Sequence, residues 1–236
     1  MALRTRRDGR TLFAQYAFPP NELGYCGPPG VAGAGLAGRA REFDGAWPYL
    51  EALAAAGNAD VLDDEVVHSY WIGGALLAAV DPSDLLTRLR CAFAGQVTGL
   101  LDAVAEHGVS AHHSFHVLVV YPWIRFLDRD PATPLRIMQM CRIRWGTVEY
   151  VDDDHVVLSS RPLTVTDRAL GLGAPRCERV RWRRDGTALS DTPRPGDLVA
   201  AHWDWVCGAL TEGDVTALQT ATSVTLALVN DVLERS

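Results

Sequence analysis

The 236-residue chain contains no lysine, so all 22 of its basic side chains are arginines. That usage follows from GC-rich coding as readily as from selection for bidentate anion contacts, and it assigns no function. Positive charge is also in the minority. With 29 acidic side chains and a net charge of −7, the chain would repel phosphate, which excludes a general nucleic-acid binder. Long apolar runs are missing too. The stretches Ile72–Val80 and Val117–Ile124 are short and interrupted by glycine or proline, well under the roughly 20 helical residues that span a bilayer. No membrane partner is expected. Arg4, Arg6, Arg7 and Arg10 are not followed by the apolar core of a signal peptide, so the expected location is cytoplasmic.

The five cysteines, at positions 26, 91, 141, 177 and 207, include no C-x-x-C pair and fit neither a disulfide framework nor a zinc ribbon. They are expected to be thiols. A Walker loop and a nucleophile elbow are absent, and the glycines at 33, 35 and 38 follow no strand, which excludes a dinucleotide fingerprint. Asp152–Asp154 lacks the glycine and terminal glutamate of an EF-hand and reads as a solvated turn.

What is present divides at about residue 135. Residues 1–135 are expected to form a mainly helical domain, with an ordered glycine- and proline-rich loop at 19–38. Helices are expected over Trp47–Ala56 and Asp63–Val80. A third opens with Asp81 as N-cap and Pro82 at N1, and Leu85, Leu89, Phe93, Val97, Leu100 and Val104 extend its apolar stripe to about Gly108. A fourth, capped by Ser110, runs through His112, His113 and His116 to Pro122. The period then changes. Ile143–Tyr150 and Val156–Ser160 read as a hairpin. Asp185-Gly186 marks a second turn, and strands follow at Leu198–His202 and Trp205–Leu210. Thr211 and Asp214 form a capping box for a closing helix. The fold class is therefore α+β: a helical domain, then a small OB-like β-barrel over residues 136–236 with a C-terminal helix.

Three segments carry a resemblance: Met140-Cys141-Arg142-Ile143-Arg144-Trp145-Gly146-Thr147-Val148, Pro195-Gly196-Asp197-Leu198 through His202 to Val206, and the acidic closing helix. In order and spacing, residues 140–236 resemble the HypC/HupF family of nickel-iron hydrogenase assembly chaperones. The resemblance implies that Cys141 and His202 hold an iron fragment, with or without CO or cyanide ligands, and that the partner is a hydrogenase large subunit or another maturation protein. It implies an accessory protein rather than a catalyst. A thiolate and a neutral imidazole suit iron better than magnesium or calcium. Arg142 and Arg144 could lower the Cys141 pKa by folding back toward the sulfur. Here the cysteine is internal, and Trp145 stands where the family has proline.

Cys26, between Gly24-Tyr25 and Gly27-Pro28, is a candidate third ligand from the helical half. His112 and His116 share a helical face at i, i+4, a metal-ligand spacing. His116, Trp145 and Trp203 are candidate pocket residues. Two other readings stand beside the iron chaperone: a metal-free interaction scaffold, and a thiol enzyme using Cys26 with His116.

Overall fold

The computed structural model describes residues 8–31 and 33–235; Arg4, Arg6 and Arg7 lie outside them. Eight α-helices are described among these residues: α1 (Gly9–Glu22), α2 (Gly33–Leu36), α3 (Trp47–Gly57), α4 (Asp64–Trp71), α5 (Pro82–Ala92), α6 (His113–Phe115), α7 (Ala132–Cys141) and α8 (Glu212–Glu234). The strands are β1 (Arg144–Val151), β2 (His155–Ser160), β3 (Leu163–Thr166), β4 (Ala169–Leu172), β5 (Arg176–Arg181), β6 (Arg183–Arg184), β7 (Thr187–Ala188), β8 (Leu198–His202) and β9 (Trp205–Ala209). The mixed helical and β composition, with a five-stranded sheet and a closing helix, follows the sequence pattern.

Three helical expectations are corrected. The stripe from Leu85 to Val104 is helical only as far as Ala92, because residues beyond it pair with the His116–Val120 segment. The Gly99 and Leu100 N–H groups donate to the Val120 and Val119 carbonyls at 2.8 and 2.7 Å. A tertiary contact thus overrides the local period. The helix expected over Asp63–Val80 stops at Trp71, before the Gly73-Gly74 pair in positive-φ conformations, and a single 3-10 turn at Ala75–Ala79 follows. Ser110 caps nothing in the fourth helix. His112 is the N-cap of α6, its Nδ1 accepting from the Ser114 N–H at 3.1 Å, and α6 passes into a wide π-type turn at His116–Val120. The segment 19–38 is also more regular than a loop: α1 runs through Pro19 and Pro20, and α2 begins at Gly33.

The β half matches its local signals. The Asp152–Asp154 turn joins β1 to β2, and Asp185-Gly186, both at positive φ (49° and 78°), joins β6 to β7 as a type I′ pair does. The hairpin β3-β4 had no recognised turn signal. Five strands are hydrogen-bonded in the order β1-β2-β5-β9-β8, and β1 also pairs antiparallel with β8, so the ring closes and leaves no unpaired edge strand in it. Val148, Val156, Leu158, Val180 and Val206 fill the interior. Each such side chain contributes on the order of 1.5–3 kcal/mol by burial.

A second, larger apolar cluster joins the two halves. Phe13, Tyr16 and Ala17 of α1, Trp71 of α4, and Cys141, Ala200 and Trp203 from the carboxy-terminal half belong to it. Tyr16 stacks on Trp71 with centroids 5.5 Å apart, and Trp71 lies 5.7 Å from the His202 ring. The helices therefore pack directly on the end of β8, where His202 sits.

Candidate metal centre

Cys141 is the last residue of α7 and His202 the last of β8. The segments that carry them are tied by backbone and side chain. The Trp203 N–H donates to the Met140 carbonyl at 2.8 Å. Arg144, only 1% exposed, donates to the carbonyls of Gln139 (3.4 Å), Met140 (3.2 Å) and Trp203 (2.6 Å), and its Nε donates to Glu178 at 3.1 Å. A buried guanidinium with a carboxylate partner and three carbonyl acceptors is a rigid staple across the site.

Helix α6 supplies a third donor. One ligand atom each from His113, Cys141 and His202 lie within 4.8 Å of one another, and all three residues are buried. The His113 Nε2–H donates to the Cys141 carbonyl at 2.9 Å, so Nδ1 accepts from the Tyr70 hydroxyl at 3.1 Å. Tyr70 has an alternative acceptor, the Gly45 carbonyl at 3.3 Å, should a metal take that nitrogen.

His202 is set by α1. Its Nδ1 donates to the Tyr16 carbonyl at 2.7 Å. In an uninterrupted helix that carbonyl would accept from residue 20, but Pro20 has no N–H. A helix-internal proline thus leaves an acceptor for the imidazole. With the proton held on Nδ1, the His202 Nε2 lone pair is buried and has no hydrogen-bond partner. This arrangement, with a carbonyl behind one nitrogen and the other nitrogen bare, is how metal-ligating histidines are oriented.

Cys26, His113, His116, Cys141 and His202 all line one small cavity, with about 20 Å³ of free space. That volume suits one water-sized atom. Burial dominates the electrostatics. It pushes the pKa of His202 and of His116 down to about 3 and holds that of His113 well below its ordinary value, so all three imidazoles are neutral at pH 7. Burial also raises Cys141, with a smaller contribution from Cys26, and pushes Cys26 up to about 12 with help from Asp44. The Trp203 indole is the group that favours the Cys141 thiolate. Neutral imidazoles and thiols without carboxylates make a soft to borderline donor set that fits a transition metal and not magnesium or calcium. A bound cation would supply the charge that keeps a thiolate deprotonated.

Residues 5–236 match the model of a family described as a family of unknown function, DUF6390. The chain belongs to the DUF6390 family. No curated protein and no solved structure matches it.

In this DUF6390 protein the expected residues sort clearly. Cys26, Cys141, His202 and His116 meet at the cavity. Trp203 does not line it; its ring stacks at 4.3 Å on Tyr25, which does. Trp145 does not belong there: it lines an open groove against α8, with Arg142 5.6 Å from its ring centroid. His112 and His116 do not act as a pair on one helical face, because His112 spends its Nδ1 as the α6 cap. Neither neighbouring arginine turns back to the thiol. Arg142 bonds Gln139 and the Arg161 carbonyl, while Arg144 staples the carbonyls named above. His113 was missed by sequence reasoning. Its only signal was membership of the histidine run, and a wide turn hides which member faces inward.

Proposed function

We propose that this protein is a metal-binding accessory factor whose His113, Cys141 and His202 hold a single iron ion, in the service of nickel-iron hydrogenase assembly. The observation that carries this reading is a buried group of three residues, His113, Cys141 and His202, that each offer one ligand atom within 4.8 Å of the others, together with the unpartnered, fully buried Nε2 of His202. Cys141 and His202 are the two residues singled out by the resemblance to the HypC/HupF family. Their convergence from distant positions in the chain supports that resemblance, as does a ring of five strands followed by a helix, which we read as OB-like. The small free volume favours a bare ion over iron carrying CO or cyanide.

Protein isolated without oxygen should contain about one iron per chain and give no CO or cyanide stretching bands. Cys141→Ala and His202→Ala should each lose the iron. Iron-free protein, with or without hydrogenase subunits bound, would overturn this reading in favour of a metal-free scaffold.

A thiol enzyme built on Cys26 and His116 is disfavoured by electrostatics. A thiolate–imidazolium pair needs a low thiol pKa and a high imidazole pKa. Burial shifts both groups in the opposite directions.

A further inference from the structure

The loop that follows α1 carries the one remaining thiol at the cavity, and it is a built feature rather than slack chain. The Asn21 side-chain amide, itself buried, donates to the carbonyls of Cys26 (3.0 Å) and Pro28 (2.8 Å). Gly27 adopts φ +79°, and a Cβ there would lie 2.4 Å from the Phe43 ring, so only glycine permits the loop to close this tightly. Tyr25 stacks on Trp203, the residue after His202, with centroids 4.3 Å apart and planes at 23°. One flank of Cys26 is thus fastened to α1 and the other to the His202 turn. Cys26 lines the same cavity as His116 and His202, whose buried Nε2 atoms have no hydrogen-bond partner.

We propose that Cys26, which lines the cavity but stands outside the 4.8 Å group of His113, Cys141 and His202, closes onto the bound ion as its fourth ligand, so that the ion is enclosed by two imidazoles and two thiolates, with both thiol protons passing to solvent. This rests on the reading above and extends it. Three donors would leave an open position, as sites that exchange water or substrate do, whereas four in a closed cavity make a tetrahedral site that retains its ion. A divalent ion without exogenous ligands is then the bound species, and a cavity with room for one atom accommodates it. Residues 1–135 and residues 136–236 each contribute one thiolate and one imidazole, which makes the ion a cross-link between them.

The test uses the full-length metal-free protein under anaerobic conditions, titrated with Co²⁺. The wild type should show tetrahedral ligand-field bands and a thiolate-to-cobalt charge-transfer band. Cys26→Ser should lose about half of the charge-transfer intensity and bind at least about tenfold more weakly. Unchanged intensity and affinity in Cys26→Ser, with both lost in Cys141→Ser, would overturn the fourth-ligand assignment and leave the three-residue centre standing. Loss of the tetrahedral bands in His116→Ala, with Cys26→Ser intact, would transfer the fourth position to His116. Indifference to Cys141→Ser and His202→Ala would sink the underlying centre as well. X-ray absorption on the Zn²⁺-loaded wild type needs no variant to fold: two sulfurs at about 2.3 Å support Cys26, and one sulfur rejects it.

Discussion

The Arg144 guanidinium donates to the Trp203 carbonyl at 2.6 Å, joining the residue three after Cys141 to the residue after His202. Its remaining donors hold the carbonyls at the end of α7 and the carboxylate of Glu178, which also accepts from the Ser160 hydroxyl at 2.6 Å. Replacement of Arg144 by methionine removes its charge and its donated bonds from a partly buried carboxylate and three carbonyls, leaving the Ser160 hydroxyl on Glu178 and the Trp203 N–H on Met140. We expect a loss of about 3–5 kcal/mol in denaturant unfolding. Arg144→Met combined with Glu178→Leu should recover part of that loss. A single variant as stable as the wild type would show that Arg144 is no staple.

Pro20 offers a sharper separation of stability from site geometry. Pro20→Ala restores an N–H that competes with His202 for the Tyr16 carbonyl, while improving helix propensity at the end of α1. Metal affinity should fall by about 10–100-fold with no loss of thermal stability in the metal-free protein. Equal affinities for Co²⁺ in variant and wild type would remove Pro20 from any role in orienting His202.

Gly45 is required by contact with His116. A Cβ at this position would stand 2.8 Å from His116 Nε2 and 3.2 Å from Cε1. The ring cannot retreat without breaking its 3.3 Å contact between Nδ1 and the Tyr49 hydroxyl. Gly45→Ala should therefore destabilise the protein by about 1–3 kcal/mol, and the midpoint of urea unfolding measures it. A neutral outcome would mean that the cavity can absorb the imidazole.

The buried histidines make stability depend on pH in a definite direction. His116 and His202 are pushed down to about 3 and His112 to about 4, mainly by burial, and His113 lies well below its usual value. In the unfolded chain all four regain a pKa near about 6.5. Below that value the unfolded state binds protons that the folded state refuses. Stability is therefore fully present above about pH 6.5 and is lost as pH falls toward 4. Each histidine contributes a slope of up to about 1.4 kcal/mol per pH unit within that window. Metal-free protein melted at pH 7, 6 and 5 should show a steep decline, and a flat profile would contradict neutral, enclosed imidazoles.

Local chemistry made much of the architecture legible in advance. Asp81 and Pro82 open α5, Thr211 and Asp214 cap α8, and Asp185-Gly186 turns between β6 and β7, because each motif is satisfied within a few residues of itself. Cys141 and His202 were legible as a pair only through family resemblance. No spacing rule relates a helix end to a strand end so far apart in the chain.

Tertiary structure decided the rest. The apolar stripe past Ala92 has helical spacing, yet backbone hydrogen bonds from Gly99 and Leu100 to Val120 and Val119 claim that segment instead. Which histidine of the 112–116 run faces the thiol depends on a cap and a widened turn, and the answer was His113, the member without an i, i+4 partner in the run. The sequence by itself determined the order of helical and β segments, the Asp81 and Thr211 caps and the acidic balance of charge with arginine as its only strong base, since these depend on neighbours along the chain. Only the fold determined the centre. The cavity residues His113, Cys141, His202 and Cys26 come from α6, α7, β8 and the loop after α1, and their convergence depends on how one shared core packs those elements together.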